Sequence, residues 1–138
     1  MEILKKLEWE EKYSVGVKLI DDQHKQMFET INILIGTLDS IPTKEKLDEI
    51  ITRLVVYKKS HFETEENYFN EFNYEFKIEH EAKHLEFNEK LNSLVKECGD
   101  DSMKLAFNLV DFLEDWLIEH LMVEDQKYVA CFHKNGLK

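Results

Sequence analysis

The chain has 138 residues, 43% of them hydrophobic and 34% charged, with a single proline and four glycines. That is a globular composition, able to bury about two-thirds of the unfolded surface, and too poor in turn residues for an all-β fold. The net charge of −11 argues against nucleic acid and anionic membranes as partners, because phosphate contacts need an excess of Lys and Arg.

No apolar run approaches the roughly 20 residues that span a bilayer. The N-terminal stretch MEILKKLEWEEKY has neither an apolar signal core nor a small-residue cleavage site, so a cytoplasmic location is expected. Cys98 and Cys131 lack CxxC spacing and read as two free thiols.

Residues 1–18, with Trp9, Tyr13 and Gly16, show no helical period and are expected to form an extended arm along the rest. The first helix is expected over roughly 20–38, where Ile20, His24, Met27, Phe28, Ile31, Leu34, Ile35 and Leu38 recur at steps of three and four. It ends before Pro42. The second is expected over 43–72, with Thr43 as N-cap and a stripe of Leu47, Ile51, Leu54, Lys58, His61, Glu65, Tyr68 and Phe72. The third, over 75–98, carries Phe76, His80, His84, Phe87, Leu91, Leu94 and Cys98, and Gly99 offers its C-terminal cap. The fourth, over 102–130, carries Ala106, Leu109, Val110, Leu113, Leu117, His120 and Tyr128. Four helices with short connections pack most simply as an antiparallel up-down-up-down bundle in one all-α domain.

What interrupts the four apolar faces is the informative feature. His24, His61, Glu65, His80, His84 and His120 all fall on core-facing positions. A single histidine on such a face is more often a hydrogen-bonded core residue than a ligand. Burying five imidazoles and a carboxylate without compensation, however, costs several kcal/mol per group, and a metal centre removes that cost. Depth agrees. His24 and the His80–His84 pair lie near the starts of their helices, while His61–Glu65 and His120 lie toward the ends of theirs. In an antiparallel bundle these are all one layer.

His61 and Glu65 are four residues apart, as are His80 and His84, so each pair shares a helical face. Glu66 points about 100° away and is expected to be solvated. Asp125 is five residues after His120, about 140° round a regular helix, whereas Glu124 has the better register. A single π-turn would bring Asp125 into line; spacing alone leaves both open. Five imidazoles and two carboxylates are too many donors for one tetrahedral zinc and suit two octahedral ions, with iron favoured by a thiolate-free set with bridging carboxylates.

The order His24, His61-Phe62-Glu63-Thr64-Glu65-Glu66, His80-xxx-His84, His120-xxxx-Asp125 resembles the hemerythrin family, in its bacterial single-domain form. Trp9, Tyr13-Ser14-Val15-Gly16-Val17, Ile20-Asp21-Asp22-Gln23-His24-Lys25, Trp116-Leu117 and Tyr128 extend the resemblance over nearly the whole chain. The Asn73-Tyr74-Glu75 loop departs from it, since many bacterial relatives place a proline after the tyrosine.

The resemblance implies two non-haem irons. His80, His84 and His120 would ligate one, and His24 and His61 the other. Glu65 and Asp125, rather than Glu124, would bridge them together with an oxo or hydroxo group. O2 would take the open position on the iron with two histidines. Leu117 would line the O2 pocket; Phe62 and Trp116 match other wall positions, though ordinary core packing accounts for those two equally well. The implied function is reversible O2 carriage, storage or delivery rather than enzymatic turnover. The alternatives are a di-iron oxidase, peroxidase or nitric-oxide reductase, or a sensor acting through a separate partner. Lys58 is expected to snorkel to solvent, and His133 to be a solvated terminal histidine.

Overall fold

A computed structural model describes residues 5–138. It is all-α, with α1 (Lys18–Gly36), α2 (Lys44–Glu71), α3 (Lys77–Cys98), α4 (Ser102–Glu119) and a short α5 (Val129–Lys134), and no strand among the described residues. Contacts link α1 with α2, α2 with α3, α3 with α4 and α4 with α1, which is the ring of an up-down-up-down bundle. Among the described residues no helix is long and apolar enough to cross a membrane.

Local chemistry sets most helix ends. Thr43 Oγ1 accepts from the Lys46 backbone N–H at 3.1 Å to cap α2, and Asp101 does the same for α4 through Lys104 at 3.1 Å. Gly99, at φ +53°, follows the last residue of α3. Several boundaries of the first three helices differ from expectation by one or two residues. The first helix begins at Lys18 rather than 20, because its opening residues point outward and carry no apolar period. The third begins at Lys77 rather than 75, because Asn73 sits at φ +51° and turns the chain first.

The larger correction concerns the fourth helix, expected as one piece over 102–130. The α-helix stops at Glu119, and a π-turn (His120–Glu124) and a 3-10 turn (Asp125–Tyr128) precede α5. In the π-turn Asp125 N–H bonds to the carbonyl of His120, five residues back. Gln126 Nε2 donates to the Leu121 carbonyl at 3.1 Å, so a backbone acceptor in the irregular stretch keeps a partner.

The apolar interior falls into two clusters. The larger includes Met27, Phe28, Leu54, Phe62, Phe87, Leu117 and Leu121; the smaller includes Ile20, Phe69, Tyr74, Tyr128 and Phe132. On every helix the polar core residues lie between members of the two clusters: His24 between Ile20 and Met27, His61 and Glu65 between Leu54 and Phe69, His80 and His84 between Tyr74 and Phe87, His120 and Asp125 between Leu117 and Tyr128. One polar layer therefore crosses the bundle, sealed on both sides.

The arm runs along α1. Leu7 and the Asn32 side chain exchange hydrogen bonds at 2.7 and 2.9 Å, and Trp9 packs edge-on against Phe28. Asp21 accepts from Ser14 Oγ at 2.5 Å and from Val15 N–H at 2.9 Å. Residues 1–4 of the expected arm lie outside the described residues. His133 is exposed as expected, but it is not merely solvated: its Nε2 lies 3.0 Å from the Gly16 carbonyl. Gly16 itself is at φ +67°, and a Cβ there would stand 2.7 Å from the His133 ring. Gly16→Ala is expected to cost about 1–3 kcal/mol in backbone strain, read as a lower urea midpoint at unchanged slope.

Candidate metal centre

Each helix delivers its polar residues to the layer by simple periodicity except the last. His24, His61, His80, His84 and His120 are all at most 4% exposed, and Glu65 and Asp125 are fully buried. Regular α-helix would leave Asp125 off the face of His120; the π-turn adds the missing rotation and brings Asp125 Oδ1 to 3.0 Å from His120 Nε2. Glu124, the alternative, stays near the surface, 3.5 Å from Lys127 Nζ.

The donor atoms converge on two points. Glu65, His80, His84 and His120 offer atoms within 4.8 Å of one another, and so do His24, His61, Glu65 and Asp125. Glu65 is common to both. Asp125 also reaches across, with Oδ2 3.1 Å from His24 Nε2 and Oδ1 3.2 Å from His80 Nε2.

Several of these contacts lack hydrogen-bond geometry. Both oxygens of Glu65 and of Asp125, and the Nε2 atoms of His80, His84 and His120, have no hydrogen-bond partner among the described residues. Buried polar atoms are seldom left so. A cluster of unpaired lone pairs all facing inward is the donor set that cations complete, and the residues present fit a metal centre.

Electrostatics point the same way. Burial alone would push both carboxyls up, but the facing imidazoles override it. His61, His80 and His84 hold Glu65 well below the usual carboxylate range, and His120 and His24 hold Asp125 low even against the charge of Glu65. Burial likewise pulls His80 down, yet the facing carboxylates of Asp125 and Glu65 carry it up to about 10. The carboxylates therefore demand positive charge at this layer. Cations bound by the imidazoles supply it without the protons.

Outer partners orient the rings. His61 Nδ1 meets Gln23 Oε1 at 2.6 Å, and His84 Nδ1 meets Glu66 Oε2 at 2.7 Å. Glu66, expected to be solvated, is only partly so: its side chain is 32% exposed, and α3 packs close enough for His84 to reach it. The sequence hint was its place beside Glu65; Gln23 likewise stands directly before His24. Lys58 is half-buried and donates to Asn88 of α3.

Of the three expected wall residues, Leu117 is 3% exposed. Phe62 stacks on His84 with centroids 3.7 Å apart, and Trp116 stacks on His120 at 4.2 Å. Both rings thus pack directly on imidazoles of the layer.

Comparison with known proteins decides the family. Residues 15–132 match the model of the hemerythrin HHE cation binding domain. The chain belongs to the hemerythrin family. It is 32% identical over 127 residues to a bacteriohemerythrin of Pseudomonas aeruginosa, covering 89% of this chain and 79% of that protein. It is 29% identical to a bacteriohemerythrin of Clostridium acetobutylicum, covering 88% and 97%. It is also 29% identical to a myohemerythrin of Sipunculus nudus, covering 87% and 88%. Membership in this hemerythrin family, of the bacteriohemerythrin type, together with the buried His/Glu/Asp cluster, assigns non-haem iron and O2 binding in general. It sets the chain among binding proteins rather than enzymes.

Loss of an outer partner should loosen the metal. Glu66→Ala is expected to lower iron affinity about 10- to 100-fold, measured by competition with a chelator. Glu66→Gln, which keeps an acceptor oxygen for His84, is expected to retain most of it.

Proposed function

We propose that the layer is a di-iron centre that binds O2 reversibly, for carriage, storage or delivery. In this reading His80, His84 and His120 hold one iron and His24 and His61 the other. Glu65 and Asp125 bridge the pair alongside an oxo or hydroxo group. Bound there, the two irons supply an open coordination position and the electrons with which O2 associates.

The single observation that carries the reading is the unequal division of imidazoles. Three histidines gather with Glu65 at one point and two with Glu65 and Asp125 at the other, and Asp125 also reaches His80 and His120, so with both carboxylates shared the two-histidine ion would have one protein ligand fewer. The chain's own residues do the rest. Gln23 and Glu66 fix the orientation of His61 and His84. Leu117, Phe62 and Trp116 supply apolar walls that keep bulk water out. Lys58, the one ammonium on the inner stripes of the sequence, is bonded to Asn88 on the neighbouring helix. Cleavage of the O–O bond requires protons delivered at the centre, and apolar walls favour return of O2 intact.

The test is a visible spectrum of the reduced, iron-loaded protein taken without air, then after air, then after argon. A charge-transfer band that rises with air and fades under argon is the expected result. Direct passage to a stable diferric spectrum, with no such band, would overturn reversible binding and favour an oxidase or peroxidase.

A further inference from the structure

Three tyrosine hydroxyls, those of Tyr57, Tyr74 and Tyr128, are buried without a hydrogen-bond partner among the described residues. Tyr57 differs from the other two. Its side chain is only half-buried as a whole, yet its oxygen is fully buried. That reverses the usual arrangement, in which a tyrosine buries its ring and keeps the hydroxyl in water.

Tyr57 stands one turn before His61 on α2, and its ring lies nearly parallel to the imidazole, with centroids 5.5 Å apart and planes inclined by 18°. Tyr57 therefore stands against an imidazole of the polar layer with its oxygen shut away from water. Tyr128 instead faces His80, with centroids 5.7 Å apart, and Tyr74 packs against Phe69 and Phe76. Of the three, only Tyr57 lies against a ring of the two-histidine group.

A buried hydroxyl with no protein acceptor loses stability. The carboxylate lone pairs of the layer are directed to the cations in the reading above. The acceptor that is left is a small ligand lodged beside His61. We propose that the Tyr57 hydroxyl donates a hydrogen bond to O2, or to a small anion in its place, bound beside His61, and thereby sets how long that ligand stays. The inference rests on the proposed O2 reading and gives it a specific gatekeeper.

Tyr57→Phe tests it, since the ring that stacks on His61 is kept. Three measurements are made on wild type and variant: O2 dissociation from the iron-loaded protein into an O2 scavenger, azide affinity of the diferric protein, and thermal melting of the iron-free protein. The expected result is O2 dissociation about tenfold faster or more, equivalent to about 1.4 kcal/mol, with azide binding weakened in the same direction. Melting of the iron-free variant should be unchanged or higher, because an unpaired buried hydroxyl is gone. Dissociation and azide affinity both within about twofold of wild type would overturn the proposal. So would a lower iron-free melting temperature, which would place the hydroxyl's partner within the protein. Failure of the wild type itself to release O2 would overturn the carrier reading instead, and the azide measurement would then judge Tyr57 alone.

Discussion

Glu65 and Asp125 have no accessible surface, and isolated ionised carboxylates in such a place cost several kcal/mol each. Everything else in the bundle is arranged around meeting that cost. Five imidazoles from four different helices converge on the two carboxylates, and with a cation in place each can contribute a lone pair. Separate apolar clusters above and below the layer keep water from relieving the charge. The layer ties all four helices through a single set of contacts, so the bundle's register and the metal geometry are one constraint.

The same constraint accounts for the break in the fourth helix. A regular α-helix cannot present residues five apart on one face, and the π-turn at His120–Glu124 exists where two such residues must meet. The Gln126 side chain, bonded to the Leu121 and Ser14 carbonyls, binds this irregular stretch to the N-terminal arm. The arm is in turn clamped by Asp21, three residues before His24. A segment without helical period thus braces the two places where the layer is hardest to hold.

Much of this was legible in the sequence because α-helical periodicity transmits it faithfully. His24, His61, Glu65, His80, His84 and His120 lie on apolar stripes, and an antiparallel arrangement puts them at one depth. Asp125 was not decidable from spacing, since choosing it over Glu124 requires knowing that a π-turn is present; the family resemblance chose it, and the structure places it in the cluster. The bond of Glu66 to His84 was missed because a helical wheel treats each helix alone, whereas the acceptor for His84 comes from a neighbouring helix. The partner of Lys58, Asn88 on α3, was hidden for the same reason. The direction of the Tyr57 hydroxyl is likewise a matter of packing between helices, and no single-chain period reports it.

The central claim is that this layer holds a pair of irons which take up O2 and give it back. The most direct measurement is to count iron per chain and O2 bound per chain on the same reduced sample, then to recover the gas under vacuum. The account predicts two irons and one O2 per chain, with the O2 recovered intact and the reduced spectrum restored. A single iron per chain, or O2 consumed and not recovered, would contradict it.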